Sequence, residues 1–306
     1  MHVAYQQQLV HLPNNWELFL KLIIFRPMKL ISISLFLLGW IAPMFAQENT
    51  TKVILQKGDK ILVKTDMQSK MTQSMMGGEP TEIVTNIISD ATLEVMELTD
   101  KGYVLQQTLT KVKMDFNGFG QSMTYDSDSK EKSDNPFVKS FAEKIGKPES
   151  HLLGFNGKQI EEESEKKEKN NGGGKGMMRM LNGGMGARIN AAFLLIPEGA
   201  NATNGWMDTS DNDGLKTIRK FSILNRMGSM VSLNVLTQTK GEVNMNQQGM
   251  EITSVVNTTS EEMWMVNAEN GRVLMQNVQM KTNNKTIMND KESPSTGTTT
   301  IQTNYE

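Results

Sequence analysis

Hydrophobic and polar residues alternate along most of the chain beyond residue 50, which is the pattern of strands with one buried face. In the segment NGRVLMQNVQMKTN, residues 270–283, Leu274, Val278 and Met280 share one parity, and polar residues mostly occupy the other. The predicted strands are 60–68, 81–90, 92–99, 103–116, 216–224, 230–239, 242–246, 251–260, 262–267, 272–281, 285–289 and 298–305. They form two blocks, at about 52–116 and 216–306.

Turn signals connect these strands into consecutive antiparallel neighbours. Gly102 follows Asp100 and Lys101, and the pair Asn156-Gly157 predicts the turn of a small hairpin over 151–160. In the strand 103–116 the hydrophobic parity changes near Leu109 and Val112, which predicts a β-bulge between them.

One hairpin pattern occurs twice. Residues 81–107, moved by 169 positions, align with 250–276 without a gap and with seven identical residues, including Gly102 with Gly271. An internal duplication would produce this match, and so would two unrelated hairpins that share a period of two and a turn glycine. Either interpretation predicts turn-linked antiparallel strands in both places.

The region between the two blocks has a different pattern. Phe137, Val138, Phe141 and Ile145 form one helical stripe between Pro136 and Gly146, which predicts a short helix over 136–145. The stretch 161–176, EEESEKKEKNNGGGKG, is too polar to bury a core and is predicted to be a disordered loop. We therefore expect a mainly β fold of the β-rich α+β type. It would be a large curved antiparallel sheet, half-barrel-like, with one or two short helices.

The N-terminus predicts export. Met28 and Lys29 precede the apolar stretch LISISLFLLGWIAPMFA, which has the form of a secretory signal peptide over 28–46. Residues 1–27 are then an upstream extension, and 47–306 form a single β-rich domain. An uncleaved anchor is the alternative, but the apolar stretch is short for a span of about 20 residues. After cleavage we expect no stable membrane span and a location in the periplasm or outside the cell.

Composition excludes several classes of function. The formal charge of −2 lacks the basic field that a nucleic-acid partner requires. The absence of cysteine excludes disulfides, thiolate nucleophiles and zinc–thiolate sites. Beyond the leader, His151 is the one histidine, and no nucleophile motif accompanies it, so we expect no enzyme.

Metal and phosphate motifs are also incomplete. Asp208, Asp211 and Asp213 lack the spacing of a calcium loop and are predicted to form an acidic turn. The glycines of 172–176 lack the spacing of a phosphate-binding loop. Clusters around Met71 and Met178 could hold Cu(I) or could act as adaptable hydrophobic residues, and the second interpretation is preferred because no histidine joins them. We therefore predict no cofactor and no metal.

Two features together resemble a known group of proteins. One is the turn phrase in LGFNGKQI and LTDKGYVL, and the other is the run FLLIP, 193–197, followed by Asn204-Gly205-Trp206. The combination resembles an uncharacterised family of secreted β-rich proteins from Bacteroidota. Gly205 directly precedes Trp206, whereas the family's usual form has two residues between glycine and tryptophan. The plan is more loosely similar to periplasmic lipoprotein carriers. The resemblance implies an exported β-sheet protein and assigns no catalytic residue.

The predicted function is a non-catalytic binding module. A curved sheet with a concave face lined by Met, Leu and Ile would hold a lipid-like or other apolar ligand, or a protein segment. The residues predicted to line it are Val231, Leu233, Val235, Leu274, Val278 and Met280. The alternative is a structural or envelope-associated interaction protein with no small-molecule ligand, and a hydrolase is a third class.

Overall fold

The structure is a computed structural model. It describes residues 51–74, 78–129, 138–139, 142–160, 189–212, 214–247 and 250–306. All of these lie in one compact unit, Gln47–Glu306. The predicted leader at 1–46 and the predicted loop at 161–176 lie outside the described residues.

Twelve strands make up about 73% of the described residues. They are β1 (Lys60–Ser74), β2 (Pro80–Leu98), β3 (Gly102–Gly118), β4 (Gln121–Asp126), β5 (Pro148–Gly154), β6 (Gln159–Ile160), β7 (Trp206–Asn212), β8 (Leu215–Met227), β9 (Met230–Gln247), β10 (Met250–Asn267), β11 (Arg272–Met288) and β12 (Lys291–Tyr305). All belong to one antiparallel sheet, so the mainly β prediction is confirmed.

The strand order is β6-β5-β3-β2-β1-β12-β11-β10-β9-β8-β7, with β4 paired to the far part of β3. The pairing of β1 with β12 joins the two predicted blocks into one sheet. Leu62 and Glu306 extend this pairing by exchanging two backbone hydrogen bonds of 2.8 Å. We call the end of the sheet with the β2–β3, β8–β9 and β10–β11 turns the lower end, and the opposite end the upper end.

Several strands are longer than the sequence predicts. The segments 81–90 and 92–99 are one strand, β2, and β9, β10 and β11 each likewise unite two predicted strands. Gly241 lies inside β9. A side chain is excluded at this position, because a Cβ would meet the carbonyl oxygen of Gly214 in the β7–β8 turn. Glycine here therefore marks a close approach of two backbones and not the end of a strand.

The start of β12 at Lys291, before the predicted residue 298, has a related cause. Pro294 lies beyond the last pair with β1, Gln73↔Ser295, where β12 has a neighbour on one side only. Proline is tolerated where a strand lacks a second neighbour, so it does not break this one.

Other local predictions are confirmed. The register between β2 and β3 shifts between Asp90 and Ala91, so Thr110 is the extra residue of a bulge between Leu109 and Val112. The β5–β6 hairpin turns at Asn156-Gly157, with Gly157 at φ 76°. The repeated pattern forms hairpins β2–β3 and β10–β11. Their lower bulges lie on different strands, at Met96 and Leu274, so the register is not repeated.

The main core lies between the curled halves of the sheet at the lower end. It joins buried side chains from both halves with the segments 53–55 and 189–196, which we call the closing segments. The core residues are Val53, Leu55, Ile61, Val63, Ala91, Leu93, Val95, Tyr103, Leu105, Leu153, Ile189, Ala192, Phe193, Ile196, Phe221, Ile223, Val231, Leu233, Val235, Trp264, Val266, Ala268, Val273 and Tyr305.

The first closing segment connects hairpins from the two halves. Val53 donates its backbone N–H to the Phe155 carbonyl at 2.8 Å, and Ile54 donates to the Asn270 carbonyl at 3.1 Å. Lys158 of the β5–β6 turn and Asp208 of β7 approach to 3.6 Å, although their strands stand at opposite ends of the strand order. The sheet is therefore strongly curved at its lower end, and its strand ladder stays open.

A second, smaller core lies nearer the upper end of the sheet, where Met67, Ile87, Val112 and Met114 are buried together. Ile145, from the segment before β5, packs against it. The predicted helix 136–145 is described only in part. Lys139 within it is helical, and its carbonyl accepts a 3.0 Å hydrogen bond from the backbone N–H of Glu143. Within the described ranges, no helix has the length and hydropathy needed to cross a bilayer.

Candidate functional site

Three of the predicted ligand-lining residues are core residues. Val231, Leu233 and Val235 on β9 have no exposed surface and pack in the main core. A ligand that leaves this core in place cannot contact them, because neighbouring side chains cover them completely.

The other three predicted lining residues lie on β11. The bulge in β11 places both Leu274 and Met275 opposite Met265. Leu274 is therefore not in line with Val278 and Met280, although the alternation in the sequence predicted that it would be. We call the face of the sheet that contacts the main core the concave face and the other the convex face. Val278 and Met280 are half-buried on the concave face, nearer the upper end than the main core. The structure therefore brings only these two together as accessible candidates.

The concave face is organised in rows of cross-strand partners, three of which define the candidate site. The lower row contains Trp206, Phe221, Val235, Glu262, Val278, Ile301, Met67, Ile87, Met114 and Tyr125. The middle row contains Asp208, Arg219, Thr237, Ser260, Met280, Thr299, Ser69, Thr85, Phe116 and Met123. The upper row contains Ser210, Thr217, Thr239, Thr258, Thr282, Gly297, Met71 and Ile83.

We call the middle and upper rows together the upper trough. Hydroxyl side chains dominate it and bond across strands, as in Ser69–Thr299 at 2.9 Å and Thr217–Thr239 at 3.0 Å. Most of its side chains are half-buried, whereas the residues that alternate with them on β1 and β12 are exposed. The trough is therefore a solvent-accessible surface and not a filled core.

Charge is segregated between the two faces. Across the upper trough, the charged residues are Asp208 and Arg219, both at the β7–β8 edge. The convex face carries cross-strand ion pairs, including Lys70–Glu82 and Lys285–Glu292, both at 2.7 Å. This separation follows from the strict period of two in long strands.

Glu262 is the one charged residue of the lower row, and three donors orient it. Its Oε1 accepts hydrogen bonds from Thr237 Oγ1 at 2.8 Å and Ser260 Oγ at 2.6 Å. Its Oε2 accepts a bond from Trp264 Nε1 at 2.8 Å. An ionised carboxylate has about four acceptor positions, so Oε2 retains capacity for a further donor.

Aromatic rings lie beside this carboxylate. Trp206 stacks on Phe221 with centroids 4.6 Å apart, and Phe221 meets Trp264 edge to face at 6.1 Å. Phe221 and Trp264 are buried, and Trp206 is half-buried. The rings form a floor beneath the β7–β10 part of the upper trough, which we call the aromatic floor.

Sequence reasoning did not identify Arg219 or Glu262 as site residues. The available signal was a charged residue on the hydrophobic parity of its strand. Arg219 precedes Phe221 and Ile223 by even steps, and Glu262 likewise precedes Trp264. Such a residue faces the concave side together with its apolar neighbours.

Two shifted pKa values lie on β4 outside the upper trough, because Tyr125 belongs to the lower row and Asp126 to the convex face. The Lys113 ammonium, 2.7 Å from Asp126, donates a hydrogen bond that lowers the pKa of this carboxyl. Burial raises the pKa of the neighbouring Tyr125 hydroxyl, and the charge of Asp126 adds to the effect. Both shifts keep these groups in their usual neutral-pH charge states.

The metal and histidine predictions can be compared with the geometry. The described residues contain no group of three His, Cys, Asp or Glu side chains able to hold a metal ion. Asp208 and Asp211 lie on opposite faces of β7, so the acidic turn predicted there is a strand up to Asn212, and Asp213 lies outside the described residues. His151 is half-buried on β5, with Nδ1 3.2 Å from Gln159 Nε2.

Of the two predicted methionine clusters, the structure describes part of the first. Met67 is buried in the second core, and Met71 is half-buried in the upper row. The cluster around Met178 lies outside the described residues. The two described side chains pack or line the sheet, as the adaptable-hydrophobe interpretation predicts.

Comparisons with known proteins give distant likeness only. No protein-family model matches the chain, and no curated protein does. A solved structure of lipovitellin, concerned with its lipid–protein interactions, is 9% identical with a TM-score of 0.47, covering 83% of this chain and 25% of that one. An outer membrane channel from Pseudomonas putida F1 is 8% identical with a TM-score of 0.21, covering 83% and 98%.

The chain thus spans about a quarter of the length of lipovitellin. At these scores neither structure indicates a shared function. The resemblance to secreted β-rich proteins from Bacteroidota stays a prediction.

Proposed function

We propose that the chain is an exported, non-catalytic binding module that holds a lipid-like, largely apolar ligand in the upper trough. The observation that carries this proposal is the segregation of charge. From β9 to β4 the middle row carries no charged side chain, while the convex face carries ion pairs such as Lys70–Glu82. An apolar chain requires such a lining, because a charged group facing it would lose its hydration without compensation.

Apolar side chains are available among the hydroxyls of the trough. Met71, Ile83, Met280 and Phe116 are half-buried on the concave face, so each retains surface that a ligand can cover. Methionine adapts its shape to irregular apolar partners, and threonine adds a methyl group at each position. The trough would therefore bind by burial of surface, with hydroxyls beside the polar part of the ligand.

A matched pair of substitutions tests the location of binding. Thr258 is half-buried on the concave face, and its neighbour Thr259 is exposed on the convex face. Thr258→Lys introduces a charge into the trough and should weaken binding of a neutral apolar fluorescent probe by at least about tenfold, equivalent to about 1.4 kcal/mol. Thr259→Lys should bind as the wild type does.

Mass spectrometry of an organic extract of the purified protein identifies the natural ligand. Protein purified without detergent should carry an amphiphile that is absent from preparations of Thr258→Lys. Equal probe binding by both lysine variants, or a wild-type extract free of amphiphiles, would refute the proposal.

The second candidate is an interaction protein without a small-molecule ligand. Its supporting observation is a group of large exposed side chains on the convex face of β7, β9 and β10, namely Met207, Leu236 and Met263, which lie in two adjacent rows. Under this alternative, Leu236→Ser and Met263→Ser would abolish association with an envelope protein, and Thr258→Lys would have no effect.

A further inference from the structure

Arg219 and Glu262 carry opposite charges and face the concave side near the aromatic floor, where Asp208 is the third charged residue. Arg219 on β8 belongs to the middle row, and Glu262 on β10 belongs to the lower row. One strand, β9, separates them. With strands about 4.8 Å apart and rows about 6.8 Å apart, their Cα atoms are about 12 Å from each other. Both side chains are long enough to reach a small bipolar group that lies between them.

Arg219 has unused donors. Its strand partner Asp208 pairs with Lys158 at 3.6 Å, and its other partner Thr237 donates its hydroxyl to Glu262. Among described residues, none of the ion pairs includes Arg219, which is half-buried. A guanidinium presents a planar fork of donors that fits a phosphate with two parallel hydrogen bonds.

Glu262 provides the complementary charge. Thr237, Ser260 and Trp264 fix its carboxylate, and Oε2 keeps an acceptor position. A preorganised carboxylate of this kind suits a protonated amine, because the amine supplies the missing donor and neutralises the charge. Trp264, which packs edge to face against Phe221, holds the carboxylate at the upper border of the main core through its Nε1–H.

We propose that Arg219 and Glu262 bind a zwitterionic headgroup, in which Arg219 holds a phosphate and Glu262 holds the neighbouring ammonium of a phospholipid-type amphiphile. The alkyl chain then lies along the uncharged part of the upper trough, from β9 toward β1. This inference rests on the proposed function, since it assigns the headgroup of the same ligand. It gives a partner to Arg219 and Glu262 at the edge of the trough, where the third charged residue, Asp208, already has Lys158 at 3.6 Å.

Matched substitutions are available on the adjacent residues. Lys220 and Glu261 are exposed on the convex face, one position from Arg219 and Glu262 respectively. The variants Arg219→Gln and Glu262→Gln therefore have the controls Lys220→Gln and Glu261→Gln. Each control removes a like charge from the same strand without changing the trough.

Three probes with the same alkyl chain separate the contributions in calorimetric titrations of the full protein. They are a lysophosphatidylethanolamine, an alkyl phosphate and an alkyl alcohol. Arg219→Gln should weaken both phosphate-bearing probes by about ten- to a hundredfold and leave the alcohol unchanged. Glu262→Gln should weaken the lysophosphatidylethanolamine alone. Both control variants should bind all three probes like the wild type.

The outcomes distinguish the two proposals. If Arg219→Gln and Glu262→Gln bind every probe normally while Thr258→Lys loses the alcohol, the trough binds ligand and the headgroup assignment is wrong. If the wild type binds none of the probes, both proposals fail. Thermal unfolding of each variant accompanies the titrations, and phosphorus NMR of the bound alkyl phosphate in Arg219→Gln reports the phosphate contact independently of Glu262.

Discussion

At the residue scale, single polar groups determine how the closing segments are held. The Tyr103 hydroxyl lies in the main core, where it donates to the Val53 carbonyl at 2.8 Å and accepts from the Leu55 N–H at 3.4 Å. Both partners belong to the first closing segment, far from Tyr103 in sequence. One hydroxyl therefore satisfies two backbone groups that would otherwise be buried without partners.

Replacing this hydroxyl tests its contribution. Tyr103→Phe should lower the free energy of unfolding by about 1–3 kcal/mol, because it leaves a buried carbonyl unpaired. Urea unfolding measures the change. Tyr125→Phe is the control, since Tyr125 is half-buried on β4 and should lose little stability. Equal losses in both variants would contradict the role given to the Tyr103 hydroxyl.

At the element scale, alternation predicted the strands and their faces, and tight turns predicted their order. The bulge at Thr110 was readable because the hydrophobic parity of β3 changes around it. The lengths of β9 and β12 could not be predicted from the sequence, because a glycine or proline such as Gly241 or Pro294 is normally a sign that a strand ends. Their tolerance depends on neighbours distant in sequence, Gly214 for the first and the end of the β1 pairing for the second.

The sequence predicted which face of the sheet the lining residues occupy, but not which of them are accessible. Val231 and Val278 lie on the same concave face in the predicted pattern, but one is sealed in the core and the other lies above it. The difference arises from the closing segments, which fill only the lower end. No local pattern in β9 or β11 reports where those segments pack.

Glycine substitutions test the close approach in β9. Gly241→Ala places a methyl group against the Gly214 carbonyl and should force the β7–β8 turn away. Gly228→Ala meets no atom within 4 Å and should cost only the roughly 1–2 kcal/mol of a left-handed alanine at φ 59°. We expect Gly241→Ala to lose at least twice as much stability in denaturant unfolding. A smaller loss than in Gly228→Ala would contradict this geometry.

At the scale of the whole molecule, the curl of the sheet depends on buried contacts more than on charge. Lys158 and Asp208 bring the two ends of the strand order together, but the lysine side chain is 68% exposed. An exposed pair of this kind contributes about 0–1 kcal/mol. Val53, in contrast, is fully buried between hairpins from both halves.

Two substitutions separate these contributions. Lys158→Gln should change the free energy of unfolding by less than about 1 kcal/mol. Val53→Ala should cost about 2 kcal/mol, since it removes two buried methyl groups and leaves a cavity. Ile54→Ala, at a neighbouring side chain that is 47% exposed, is the control and should cost less. Thermal unfolding at low and high salt would reveal a larger ionic contribution if one exists.

The pairing of β1 with β12 has a kinetic consequence. Lys64 of β1 and Glu306, which directly follows β12, meet across 242 positions of sequence, and these two strands lie in the middle of the sheet. Such distant contacts make folding slow, because the entropy of closing a long loop is lost before the contacts form. A polypeptide emerging N-terminus first cannot complete its centre until the β12 segment is free. The whole sheet therefore matures only after β12 has become available, however early the other strands have paired.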